Sequence, residues 1–115
     1  MGQRQIRGQL LKGTTPLLVL TVIGDGELYG YEIAQKIRQR SNGAFAPSEG
    51  SLYPALHALE GDGALVATWR ASDRGPRRRY YRITPHGQRS LAEHEREWAA
   101  FSVGVARALG GSNGG

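Results

Sequence analysis

The sequence of 115 residues predicts one domain that is mainly α with a small β-hairpin. Three observations predict this fold class. Apolar residues recur at helical spacing in three stretches before residue 64. Two extended runs joined by a Ser/Asp/Gly/Pro turn follow in LVATWRASDRGPRRRYYRIT. Thr84 and Pro85 then supply the cap and the first residue of a last helix. The predicted order is three helices, a two-stranded ribbon and one more helix.

The first predicted helix contains the most apolar stretch of the chain, LLVLTVI, which follows Pro16. Thr14 or Thr15 can cap this helix, with Pro16 at the first helical position. Residues 5 to 13 can extend it toward the N-terminus. Because the apolar stretch is hydrophobic nearly all round, we expect this helix to lie inside the core.

The second predicted helix runs from about Tyr29 to Arg40, and the third begins after Ser48, a good N-cap. Pro54 lies within two turns of the start of the third helix, where it is tolerated with local distortion. Apolar side chains follow one face of each helix: Tyr29, Ile33 and Ile37 in the second, and Leu52, Leu56 and Leu59 in the third.

The hairpin concentrates the charge of the chain. Residues 70 to 82 contain six arginines and one acidic residue, so this segment carries +5, which equals the net charge of the whole chain. A basic hairpin tip is typical of a surface that binds a polyanion, and a solvated loop is the alternative. Side chains alternate along the second strand, so one pair, Tyr81 with Ile83 or Tyr80 with Arg82, should anchor the hairpin to the core.

Three helices followed by a two-stranded ribbon is the order of a winged helix-turn-helix, in which the third helix enters the DNA major groove and the wing follows the backbone. Three stretches then carry a specific resemblance: LYGYEI at Leu28–Ile33, EGSLYPAL at Glu49–Leu56, and RRRYYRITPHG at Arg77–Gly87. In this order and spacing they resemble the signature stretches of the PadR family of bacterial transcriptional regulators. The resemblance covers roughly residues 10 to 100.

The resemblance implies where DNA would lie. In PadR-like proteins the starts of the second and third helices lie against DNA, and basic wing residues reach phosphates or the minor groove. With Ser48 at the start of the third helix included, the predicted DNA-binding residues are Tyr29, Ser48, Ser51, Tyr53, Arg74, Arg77, Arg78 and Arg79. The expected function is that of a homodimeric repressor that binds a two-fold symmetric operator and is released by an effector. The alternatives are a ligand-sensing or protein-interaction module and an RNA-binding winged helix.

The last helix carries an apolar stripe at alternating steps of three and four, the spacing of a coiled-coil seam. Its members are Leu91, His94, Trp98, Phe101, Val105 and Ala108. The resemblance also implies dimerisation through this helix, although Gly104 interrupts it. Packing of the stripe on its own domain is the alternative. Because two large aromatic residues are hard to place in a small core, a partner subunit is the better prediction. Trp98 and Phe101 are also a possible effector site for an aromatic or cationic ligand.

Composition argues against several other classes. There is no cysteine, and the three histidines lack ligand spacing, so no disulfide or metal site is predicted. No catalytic constellation or phosphate loop can be assembled, so we expect neither an enzyme nor a cofactor. The longest apolar run, Leu17–Ile23, is far too short to span a bilayer, so a cytoplasmic protein is expected. We place the DNA-binding domain at residues 5–84, the dimerisation helix at 85–109 and a disordered tail at 110–115.

Overall fold

The computed structural model describes residues 2–110, with side chains from residue 13 onward. Its elements are α1 (Gly2–Ile23), β1 (Glu27–Tyr29), α2 (Gly30–Arg40), α3 (Glu49–Gly61), β2 (Leu65–Ser72), β3 (Gly75–Ile83) and α4 (Pro85–Ala108). The predicted winged helix-turn-helix, mainly α with a small β-hairpin and followed by one C-terminal helix, is therefore confirmed. Residues 111–115 of the predicted disordered tail lie outside the described part of the chain.

Helix α1 differs from its predicted start. The prediction of a cap at Thr14 or Thr15 is wrong, because the helix runs without a break from Gly2 through Pro16 to Ile23. A proline inside a helix removes one backbone hydrogen bond and crowds the carbonyl four residues earlier, at a cost of about 3 kcal/mol. Packing on both sides of the proline offsets this cost, because Thr15 is buried as well as Val19 and Leu20. The expected extension over residues 5 to 13 is confirmed.

Helices α2 and α3 match their predictions closely. Tyr29 caps α2 in an extended conformation, and its backbone N–H donates to Glu32 Oε1 at 3.1 Å. Ser48 occupies the N-cap position of α3, and its carbonyl oxygen accepts the Leu52 N–H at 2.8 Å. Helix α3 continues through Pro54, as expected.

The sheet has one strand more than the predicted hairpin. β3 lies in the centre, with β1 and β2 antiparallel on either side. The short strand β1 pairs Leu28 with Tyr81, which ties the start of α2 to the wing. Tyr81 and Ile83 are buried, so they are the pair that anchors the wing to the core.

The core lies where α1, α2 and α3 meet the base of the sheet. Its buried apolar residues are Val19, Leu20, Val22, Ile23, Ile33, Ile37, Leu52, Leu56, Leu59, Ala64, Leu65, Tyr81 and Ile83. All three leucines of the predicted α3 stripe belong to it. The face of α3 opposite this stripe is thereby left on the outside of the domain.

Helix α4 begins as predicted, and its start is fixed to the domain. The Gly87 N–H donates to Thr84 Oγ1 at 3.0 Å, and the Thr84 hydroxyl donates to the Gly63 carbonyl oxygen at 2.6 Å. Gly87 packs so closely on the Ala64 carbonyl that a Cβ atom there would clash with it. The helix continues through Gly104 to Ala108, so the glycine does not shorten it.

Candidate nucleic-acid interface

The start of α3 presents hydroxyl groups at the outer surface. Ser48 is exposed and Ser51 is half-buried. The Ser51 hydroxyl donates to the Ser48 carbonyl oxygen at 3.2 Å and lies 3.4 Å from Ser48 Oγ. Both serines are thus held by the first turn of the helix, with their oxygen atoms still able to accept hydrogen bonds from a ligand.

Tyr53 joins the start of α3 to the start of α2. Its ring lies across Gly30, and a Cβ atom on Gly30 would come within 2.6 Å of the Tyr53 hydroxyl oxygen. The glycine of the Tyr-Gly-Tyr stretch therefore permits close packing of the two helix starts. Tyr53 is 40% exposed, so its outer edge remains available to a ligand.

A groove of about 390 Å³ lies between α3, the start of α2 and the wing. It is lined by Tyr29, Gly30, Tyr53, His57, Trp69, Arg77, Arg78, Arg79 and Tyr81. Five of the eight predicted DNA-binding residues thus come together, while Ser48, Ser51 and Arg74 lie outside the lining.

Four residues of the groove were not among the predicted site residues: Gly30, His57, Trp69 and Tyr81. His57 follows Tyr53 by four positions, so both lie on one side of α3. Trp69 lies opposite Arg79 in the strand register, so both side chains lie on one face of the sheet. The helical spacing could have indicated His57. Trp69 could be found only after the register of the wing was known.

The wing arginines have different surroundings. Arg79 donates to Glu60 Oε2 at 2.5 Å, and its guanidinium also lies near the rings of Trp69 and Tyr81, at 5.7 and 5.8 Å from their centroids. Arg70 pairs with Glu27 on the other side of the sheet, where Arg82 also lies 3.8 Å from a Glu27 oxygen.

The other three wing arginines are exposed and differ from these in having no carboxylate partner in the described part of the chain. Arg78 lies 4.5 Å above the centroid of the Tyr29 ring, and Arg77 lies 6.0 Å from that of Trp69. Arg74 occupies the exposed turn between β2 and β3. Among the described residues these three have no carboxylate partner, so their positive charge is available to an anion.

Tyr81 anchors the inner end of the groove. Burial raises the pKa of the Tyr81 phenol above its ordinary value, and the neighbouring Glu60 carboxylate raises it further, while the Arg79 guanidinium opposes both. The phenol is therefore neutral at physiological pH and adds no negative charge to a surface that would receive an anion.

The predicted stripe on α4 divides into two parts. Leu91 packs against the core of its own domain. Beyond it the large side chains are exposed: Trp98 is 47% exposed and Phe101 is 63% exposed, with their ring centroids 6.2 Å apart. His94 is half-buried, whereas Val105, Ala108 and Leu109 are exposed. Leu109 lies on the same side of the helix and was not predicted as part of the stripe.

A second groove, of about 540 Å³, lies between α1 and α4. It is lined by Gly13, Thr14, Leu17, His94, Glu97, Trp98 and Phe101. The predicted effector residues, Trp98 and Phe101, thus line one groove with a histidine and a carboxylate. No helix in the described part of the chain is long and apolar enough to cross a membrane.

The sequence and the fold of this chain are both similar to those of known proteins. Residues 19–93 match the family described as the transcriptional regulator PadR-like family. The chain is 41% identical over 80 residues to the transcriptional regulator Rv3488 of Mycobacterium tuberculosis, a match that covers 70% of this chain and 71% of that protein. It is also similar to two crystal structures. A PadR-like transcriptional regulator from Bacillus cereus has a TM-score of 0.72 and 36% identity, covering 90% of this chain and 99% of that one. A PadR family regulator from Eggerthella lenta has a TM-score of 0.79 and 29% identity, covering 92% of this chain and 90% of that one.

Proposed function

Because the chain belongs to the PadR-like family of transcriptional regulators, we propose that it is a cytoplasmic, homodimeric repressor that binds a two-fold symmetric DNA operator and is released by a small-molecule effector. The observation that carries this proposal is the groove beside α3, where the exposed guanidinium groups of Arg77 and Arg78 lie next to the outer side of a helix. Guanidinium groups attract phosphates, and an exposed helix face can reach base edges in the major groove.

The proposed contacts divide by chemistry. Ser48, Ser51 and Tyr53 at the start of α3 supply base-edge and phosphate contacts, and Tyr29 lies beside them at the start of α2. The wing arginines predicted to bind DNA, Arg74, Arg77, Arg78 and Arg79, supply phosphate attraction. Of these, we assign the smallest share to Arg79, because Glu60 already neutralises much of its charge.

We assign dimerisation to the outer part of α4, with residues 5–84 as the DNA-binding head and residues 85–109 as the dimerisation helix. The interface would be formed by His94, Trp98, Phe101, Val105 and Ala108. Leu91, which is half-buried against the core of its own domain, would contribute its exposed part. Two exposed aromatic side chains on one helix are the main support for this assignment. The dimer would hold two heads about one turn of DNA apart, roughly 34 Å.

The groove between α1 and α4 is the proposed effector site. Its aromatic side chains, Trp98 and Phe101, suit a planar ligand, and the carboxylate of Glu97 suits a positive charge on it. A ligand that changes the distance between the two heads would weaken DNA binding without touching the DNA. Titration of the Trp69→Phe variant with aromatic cations, followed by Trp98 fluorescence, tests this site. A compound that releases DNA and leaves Trp98 emission unchanged would show that the effector binds elsewhere.

The function itself is tested by selection of duplexes from a random library with the purified protein. We expect enrichment of a two-fold symmetric sequence, and an affinity that falls linearly in log units with the logarithm of salt concentration. Selected duplex, scrambled duplex and single-stranded RNA are then compared at physiological salt. Preference for RNA would favour the RNA-binding alternative. A protein that enriches no sequence and ignores duplex would favour a module whose wing binds an acidic protein.

A further inference from the structure

Trp69 is a large aromatic residue on the wing that the core does not use. On the same face of β2, Leu65 is buried and Ala67 is half-buried, but Trp69 is 56% exposed. This face of the strand therefore begins in the core and ends in the groove beside α3, where it presents the indole ring of Trp69. The packing that stabilises the fold leaves more than half of this residue in solvent.

The Trp69 ring lies beside two guanidinium groups. The guanidinium groups of Arg77 and Arg79 lie 6.0 and 5.7 Å from its centroid, within the range of cation–π attraction. Arg79 is held in turn by Glu60 of α3 at 2.5 Å. The indole is therefore placed relative to α3 rather than free on a flexible hairpin.

The opposite wall of the groove is also aromatic. Tyr53 and His57, one helical turn apart on α3, line the groove together with Trp69, while Arg77 and Arg78 supply positive charge. This combination suits a strand with alternating anionic and flat or apolar parts. A sugar–phosphate strand with its bases has that chemistry, because aromatic side chains contact bases and sugars while guanidinium groups hold phosphates.

We propose that Trp69 is a direct DNA contact, whose indole packs against the sugar and base edge of the strand that follows the groove. The wing then contributes a non-ionic contact in addition to charge. This inference rests on the duplex-binding function proposed above. It assigns to the wing a part of the affinity that salt does not screen.

The salt dependence of binding separates this role from a purely structural one. Trp69→Ala should weaken binding to the selected duplex by about 5- to 150-fold for each of the two aromatic contacts that the dimer loses. The slope of log affinity against log salt should stay the same, because no charge is removed. Trp69→Phe should retain most of the affinity. Thr68→Ala is the matched control, since Thr68 is exposed and faces the other side of the sheet.

Two results would overturn the proposal. Unchanged affinity of Trp69→Ala would show that the indole makes no contact. A weaker affinity accompanied by a fall of the slope by about 1.8, which is 0.9 for one phosphate contact in each of two subunits, would show that Trp69 serves to position Arg77. Wild-type protein that does not bind duplex would instead overturn the proposed function, so the two failures are distinguishable.

A measurement on the wild-type chain gives an independent test. The chain has two tryptophans, so the difference in emission between wild type and Trp69→Phe reports Trp69. Saturation with duplex should shield this component from quenching by acrylamide. Equal quenching in the free and the saturated protein would rule out the contact.

Discussion

The groove beside α3 and the groove between α1 and α4 both contain exposed aromatic residues, but they differ in what surrounds the rings. Beside α3, guanidinium groups lie near the rings of Tyr29 and Trp69, and the positions of these groups are fixed by the sheet. Between α1 and α4, Trp98 and Phe101 contact each other, and among the described side chains no cation lies over either ring. The charge of the groove beside α3 suits an anion. The exposed aromatic side chains between α1 and α4 would be stabilised most by contact with apolar groups, whether from a second subunit or a ligand.

The largest effect is expected from the α4 surface. Trp98→Ser with Phe101→Ser should convert the proposed dimer to a monomer and lower operator affinity by roughly 10²- to 10⁴-fold, because the second head would no longer be held near its half-site. Sedimentation velocity gives the mass, and fluorescence anisotropy gives the affinity.

Val103→Ser is the matched control for this change. Val103 is 50% exposed, but it lies about 200° around the helix from Phe101, away from the stripe. The control should remain a dimer with normal operator binding. A wild-type chain that sediments as a monomer at micromolar concentration would contradict the proposed dimer.

The wing arginines should produce the next largest effect. Removal of one phosphate contact should flatten the slope of log affinity against log salt by about 0.9. Because a substitution is present in both subunits of a dimer, each one should flatten the slope by about 1.8. Changing Arg77, Arg78 and Arg79 to Ala would therefore flatten it by up to about 5 units if all three bind phosphate. We expect about 3.6 units, because Glu60 engages Arg79. Preference for operator over random duplex should largely survive.

The Arg77→Ala, Arg78→Ala double variant sharpens this result. If Arg79 is held within the protein, the double and triple variants should have nearly the same slope. An unchanged slope in the triple variant, with circular dichroism showing a folded protein, would remove the wing from the DNA interface and favour an acidic protein partner.

The first and last helices differ in how well the sequence predicted where they begin. The start of α4 was predictable because the Thr84–Pro85 cap is a local rule. The same rule gave the wrong start for α1, which runs through Pro16 and buries Thr15, the residue directly before the proline. Local sequence preference decides a helix end only where tertiary packing does not oppose it.

The composition of the groove was less predictable, for a related reason. Strand β1 was missed because three residues form a strand only when β3 lies beside them. The engagement of Arg79 depends on Glu60, nineteen residues earlier in the chain. Spacing along one helix or strand shows which residues share a face, but the pairing of distant residues requires the fold.

The hydroxyl groups at the start of α3 should have a moderate and sequence-specific effect. Ser51→Ala or Tyr53→Phe should reduce operator affinity by roughly 1–3 kcal/mol if the hydroxyl contacts a base edge, and reduce affinity for random duplex by less. Equal reductions on both DNAs would indicate phosphate contacts.

Gly30→Ala tests the placement of the Tyr53 ring without removing a hydroxyl. An alanine Cβ atom at this position would displace the ring, so operator affinity should fall. In a Tyr53→Ala background the clash is absent, so adding Gly30→Ala should have little further effect. Additive reductions would show that Gly30 acts through something other than Tyr53.

The smallest expected effect comes from Glu60→Gln. The Glu60–Arg79 pair is about one-third exposed on both sides, so its removal should reduce the free energy of unfolding by no more than about 1 kcal/mol.

The Arg79 side chain that Glu60→Gln releases can then reach a phosphate, which would steepen the salt slope by up to about 1.8 units per dimer. Random duplex should gain as much affinity as operator, so the preference between them should not improve. Glu27→Gln is the matched control, because it also removes a carboxylate that pairs with wing arginines, Arg70 and Arg82, neither of which lines the groove. A steeper slope for Glu60→Gln alone would establish that this carboxylate withholds one wing arginine from DNA. Equal slopes in both variants and wild type would show that Arg79 remains at its place against Trp69 and Tyr81 without Glu60.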